Sequence, residues 1–140
     1  KYFDQEMIAW RSESGDLTVM NAYCEHLGAH LGYGGTVQGE VLQCPFHGWQ
    51  WNQQGRNVCI PYEDRPNRGR RIKTYPVVER NESVYIWHDI NSRDPFFEAP
   101  DIFADFGDDL PPRAGNFFIS VVDVFFRGVK HIITSSDTFF

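Results

Sequence analysis

Two short motifs hold the residues with the most evident chemistry. Cys24-Glu25-His26 is a C-x-H pair and Cys44-Pro45-Phe46-His47 is a C-x-x-H pair, with seventeen residues between His26 and Cys44. Each pair is followed by turn-forming glycine: Leu27-Gly28 after the first and Gly48 after the second. Thiolates and imidazoles are soft-to-borderline metal ligands, so two such loops brought together offer a four-ligand set. The third cysteine, Cys59, has no motif partner. Three cysteines make a poor disulfide framework. A Cys24–Cys44 disulfide is the alternative reading, and the histidines beside both cysteines favour metal over it.

The order of the ligands bears on which metal. Zinc accepts two cysteines and two histidines tetrahedrally, but zinc-finger order is C-x₂₋₄-C followed by H-x₃₋₅-H. Here each loop carries one ligand of each type. A [2Fe–2S] cluster that takes two thiolates on one iron and two imidazoles on the other suits two loops arriving from the same side. That cluster is the expected cofactor, with Cys24, His26, Cys44 and His47 as its ligands; a zinc site stays open as the alternative.

The elements that must position these loops read as short strands. Residues 7–11 (MIAWR), 17–21 (LTVMN), 41–43 (VLQ) and 83–88 (SVYIWH) are rich in strand formers. Ser14-Gly15-Asp16, Gln53-Gln54-Gly55 and Arg80-Asn81-Glu82 read as turns. Trp49 to Trp51 opens a hairpin. Residues 72–79 have strand propensity despite Pro76, which suits an edge or a bulge. No segment before residue 90 keeps a helical period. The expected fold is all-β: antiparallel sheets over about residues 1–90, with a small cluster-binding subdomain at about 22–61. Residues 91–140 read as a linker and the incomplete start of a second domain. Within them, 94–112 is rich in proline and aspartate. Residues 117–126 (FFISVVDVFF) would make a strand with nothing to pack on.

The chain has 140 residues, 41% hydrophobic and 16% aromatic, with a formal net charge of −6. This is a globular composition. An acidic chain argues against a general nucleic-acid binder, which needs a basic surface. No apolar run reaches the roughly 18 residues of a membrane helix, and no signal peptide opens the chain. No membrane partner and a cytoplasmic location are therefore expected. Lys1 stands where a starting Met would, so the chain reads as cut or processed.

The runs CEHLGAHLG (24–32) and CPFHGWQW (44–51) resemble the ligand motif of Rieske non-haem iron oxygenases. The wider stretch from Tyr2 to His88, with NAYCEHLGAHLGYGG and YPVVERN, is similar to the 3-ketosteroid 9α-hydroxylase oxygenase components and cholesterol 7-desaturases. The resemblance implies an electron-transfer domain that serves the hydroxylation or desaturation of steroid-like substrates. It implies a reductase or ferredoxin as electron donor and a homotrimer in the full-length enzyme. It further implies a mononuclear Fe(II), held by two histidines and a carboxylate, in a separate catalytic domain. That motif is absent here: after residue 90 the one histidine is His131, with Asp137 six residues on. No catalytic residue is therefore assigned to this chain, and a fragment is expected. A free-standing Rieske ferredoxin is the alternative.

Respiratory Rieske proteins, by contrast, carry two extra cysteines where this chain has Ala29 and Phe46. They also place hydroxyl donors where it has Gly48, Trp49, Gln50 and Trp51. Fewer donors stabilise the reduced cluster less, which puts the expected potential nearer about −150 mV than +300 mV. Trp49 and Trp51 read as shields against water, and Tyr62 as packing near the cluster. His30, Cys59 and His88 read as structural. The basic run at 65–71, with Arg65, Arg68, Arg70 and Arg71, reads either as a solvated loop or as a docking patch for an acidic donor.

Overall fold

The computed structural model describes residues 4–80, 83–96, 98–99 and 101. Among them there is no helix and there are nine strands. Met7–Arg11 (β1), Leu17–Asn21 (β2) and Thr74–Tyr75 (β7) form one sheet, in the order β1-β2-β7. Thr36–Gln38 (β3), Val41–Gln43 (β4), Gln50–Asn52 (β5) and Asn57–Cys59 (β6) form a second sheet in sequential order. Val77–Arg80 (β8) and Ser83–Ile86 (β9) pair as a hairpin. The chain divides into two compact units, one ending at Thr74 and the next beginning at Tyr75. The expected all-β, antiparallel architecture is the one observed. The run at 117–126, the turn at Asn81-Glu82, His131 and Asp137 lie outside the described residues.

Residue pattern accounts for the first unit. In β1, Met7, Ile8, Ala9 and Trp10 are all buried, so this strand is covered on both faces rather than one. It pairs antiparallel with β2, with Ile8 opposite Met20 and Trp10 opposite Thr18. In the second sheet the central position of each inner strand is buried: Leu42 of β4 lies opposite Val37 on one side and Trp51 of β5 on the other. These residues join Ile8, Trp10, Met20, Ala22, Leu31, Trp49, Ile60 and Ile72 in one apolar core, which also contains Cys24 and Cys44. At three residues each, β3, β4 and β6 are too short to show a period of two; β4 is found by its adjacent Val41 and Leu42, a pair that β3 and β6 lack.

Gly55 closes the β5–β6 turn with φ of 71°, and a Cβ there would fall 2.1 Å from the Ile72 carbonyl oxygen. Only glycine fits both constraints. In the second unit, β8 runs from Val77 opposite Ile86 to Arg80 opposite Ser83. Pro76, which has no N–H, ends β7 and separates it from β8. Its carbonyl still accepts the Trp87 amide at 2.9 Å.

Candidate iron–sulfur site

The two motif loops fold the same way. In the first, the Cys24 amide donates to the Ala29 carbonyl at 2.8 Å and the Gly28 amide to the Cys24 carbonyl at 2.9 Å. In the second, the Cys44 amide donates to the Trp49 carbonyl at 2.8 Å and the Gly48 amide to the Cys44 carbonyl at 3.1 Å. Gly28 and Gly48, each four residues past its cysteine, have φ of 75° and 71°. A side chain is strained in that region. At Gly48 a Cβ would also come within 2.9 Å of Pro61 Cγ. Each loop is thus a tight turn with its cysteine at the buried root and its histidine on the bend.

The roots meet. Cys24 and Cys44 are both 2% exposed and lie side by side, and neither they nor Cys59 forms a disulfide. Burial, with Cys44 beside it, pushes the Cys24 thiol up to about 11. The His26 amide and the Trp51 indole N–H pull the other way, because both face the sulfur and favour the anion. The imidazoles meet as well. The His26 and His47 ring centroids are 4.9 Å apart, with planes at 71°. Trp49 lies flat on His26, with centroids 4.4 Å apart and planes within 5°. Its indole N–H donates to the Tyr62 hydroxyl at 2.7 Å, which fixes the indole in that pose. Phe46 covers His47 at 4.0 Å and is itself 63% exposed.

The donor set fits a two-iron cluster. His47 Nδ1 is buried with no hydrogen-bond partner, a lone pair or proton left without a protein acceptor or donor. A metal would satisfy it. A thiolate pair and an imidazole pair suit two irons, each pair on its own.

Other residues singled out from the sequence stand apart from these four. His30 Nδ1 accepts from the Gly32 amide at 3.0 Å, and its Nε2 lies 3.9 Å from Glu6. Tyr23 donates to the same carboxylate and bridges to His30 across the neck of the first loop. Cys59 is half-buried in β6 opposite Gln50. His88, in the second unit, faces Tyr75 at a 6.5 Å centroid distance. Two contacts at the site were not foreseen: Arg70 of the basic run sits 4.0 Å from Glu25, inside the first motif, and Trp51 faces Cys24. Both join residues far apart in sequence, and no local signal announces them.

The model of the Rieske [2Fe–2S] domain matches residues 1–76. A cholesterol 7-desaturase of Bombyx mori is 42% identical over 97 residues, which are 69% of this chain and 21% of that protein. The oxygenase component of a 3-ketosteroid-9-alpha-monooxygenase of Rhodococcus rhodochrous is 36% identical over 88 residues, 63% of this chain and 23% of that one. Among solved structures, a dicamba monooxygenase with non-heme iron and dicamba superposes with a TM-score of 0.58 at 31% identity, over 67% of this chain and 29% of that one. A ferredoxin of Sphingomonas yanoikuyae B1 superposes with a TM-score of 0.51 at 26% identity, over 64% of this chain and 80% of that one. The chain thus spans about a fifth of the length of the two curated relatives.

Proposed function

Because this chain belongs to the Rieske [2Fe–2S] domain family, we propose that Cys24, His26, Cys44 and His47 hold the family's cluster and that the chain is the electron-transfer part of an oxygenase component acting on steroid-like substrates. The observation that carries the ligand assignment is the pairing of two like-folded loops, with sulfurs meeting inside and imidazoles meeting outside. When bound, the cluster supplies one-electron uptake and release.

The chain's own residues do the rest. Cys24 and Cys44 would hold the cluster as thiolates, since only the thiolate is a ligand. Nδ1 of His47, buried and without a protein partner, would be the atom that holds the metal, leaving the other ring nitrogen to carry the proton. Trp49, pinned by Tyr62, keeps water off His26 and fixes its ring plane. Exclusion of water and a fixed ring lower the reorganisation that accompanies each electron. The domain is taken as about residues 1–90, with the cluster-binding part at about 22–61. In this reading the protein works in the cytoplasm. A reductase or ferredoxin supplies electrons, and they leave toward a mononuclear iron in a catalytic domain lying beyond this stretch, within a homotrimer. Among the described residues no helix is long and apolar enough to cross a membrane.

A free-standing ferredoxin is the second reading, favoured by the large share of the Sphingomonas ferredoxin that is covered. The identities to the desaturase and monooxygenase, 42% and 36%, favour the first. One experiment separates them: the full-length gene product, given a reductase and O₂, is tested for conversion of a sterol or 3-ketosteroid. Turnover supports the oxygenase reading. A gene product that stops near this chain's end, passes electrons and turns over no sterol supports the carrier.

A further inference from the structure

We propose that electrons reach the cluster through Tyr62 and Trp49, which form a packed route from the surface to His26, and that the donor docking over Tyr62 is an acidic [2Fe–2S] ferredoxin. The inference rests on the ligand assignment above and names the partner of that site.

The route is continuous. Trp49 is buried and lies flat on His26, with ring centroids 4.4 Å apart. Its indole N–H donates to the Tyr62 hydroxyl at 2.7 Å. Tyr62 is 57% exposed, so the contacts that begin at a proposed ligand end at solvent. Electron tunnelling weakens steeply with the gap between redox groups, and less steeply through packed, hydrogen-bonded atoms than through water. A donor seated on Tyr62 is therefore coupled to His26 without touching the imidazole.

The loop that carries Tyr62 is anchored. The Glu63 amide donates to the Ile60 carbonyl at 3.1 Å, which sets Tyr62 in a tight turn. Further on, the Asn67 amide donates to Oδ1 of Asn57, a buried side chain whose own amide group donates to the Gln50 and Cys59 carbonyls. The loop meets the first ligand loop again near its other end, where Arg70 lies 4.0 Å from Glu25. Residues 60–71 hold Arg65, Arg68, Arg70 and Arg71 against Glu63 and Asp64, a local excess of positive charge in a chain of net −6. All of these side chains are exposed. That charge selects an acidic partner and steers it onto this loop. No bond forms or breaks in the step. One electron leaves the ferredoxin, which is oxidised, and the cluster that receives it is reduced.

Stopped-flow reduction of the cluster-loaded chain by reduced plant-type ferredoxin, an acidic [2Fe–2S] carrier, tests the route. A concentration series separates the limiting rate from the concentration that half-saturates it. Trp49→Leu should lower the limiting rate several-fold and leave half-saturation unchanged. Tyr62→Phe keeps the ring and breaks the hydrogen bond, and should lower the limiting rate by less. Dithionite, a small reductant that needs no docking loop, should reduce Trp49→Leu at least as fast as the natural chain. A second readout needs no cluster: hydroxyl-radical footprinting of the metal-free natural chain should show Tyr62 protected when ferredoxin is added at low salt. An unchanged limiting rate in Trp49→Leu, equal slowing with ferredoxin and dithionite, or a Tyr62 left unprotected by ferredoxin would overturn the proposal. So would a limiting rate lowered in Phe46→Leu instead, which would put entry at His47. A chain that takes up no cluster at all would overturn the ligand assignment together with it.

Discussion

Four side chains carry the proposed ligation, and three of them make separable predictions. Replacing Cys44 by Ser swaps a soft ligand for a hard one, and visible absorbance after anaerobic reconstitution should fall to the level of the untreated chain. His47→Ala should also abolish stable loading, with folding of the metal-free chain little changed, because His47 Nδ1 has no protein partner to lose. Cys24 gives a pH signature. Its folded pKa lies above the ordinary 9.0, at about 11, so the metal-free chain favours the neutral thiol. That contribution is present below pH 9 and is lost as pH rises through 11; urea midpoints of the metal-free chain should fall across that window. At this scale the two loops and the proposed ligands on them are legible in the sequence, because Cys24 with His26 and Cys44 with His47 are each bound into one short turn. Trp51 on Cys24 could not, because only the pairing of β4 with β5 places it there.

At the level of elements, the site depends on turns that tolerate no side chain. Gly55→Ala would set a methyl against the Ile72 carbonyl, with nothing but backbone to give way. It should cost about 3 kcal/mol or more by denaturant unfolding. Gly48→Ala meets the Pro61 ring instead. It should cost about 1–3 kcal/mol and, because Gly48 adjoins His47, lower cluster occupancy as well. Strands β1, β2, β4 and β9 could be read from their β-branched and aromatic runs. The stretch at 72–79 could be read only as propensity, because Pro76 makes two strands of it and the two join different sheets. The three-residue strands β3 and β6 owe their existence to partners rather than to their own composition.

On the scale of the molecule, the charge distribution is at odds with its sum. The chain is acidic overall, at −6, yet Arg68, Arg70 and Arg71 are exposed, and Arg70 reaches Glu25 in the first ligand loop. The pair itself adds little stability, being solvated. Its position puts positive charge beside the proposed cluster site. If an acidic donor docks there, neutralising the three arginines should slow reduction about tenfold at low salt, and added salt should erase the difference. Stopped-flow reduction by a ferredoxin checks this; equal rates at low salt would leave the run a solvated loop. The central claim is mixed ligation by two sulfurs and two imidazoles, and one measurement reaches it most directly. The chain, labelled with ¹⁵N in histidine, is reconstituted anaerobically, reduced and examined by pulsed EPR. The account predicts two irons and two sulfides per chain and two strong, directly bonded nitrogen couplings. A reduced cluster with no bonded nitrogen, or a chain that binds a single zinc and stays diamagnetic, would contradict it.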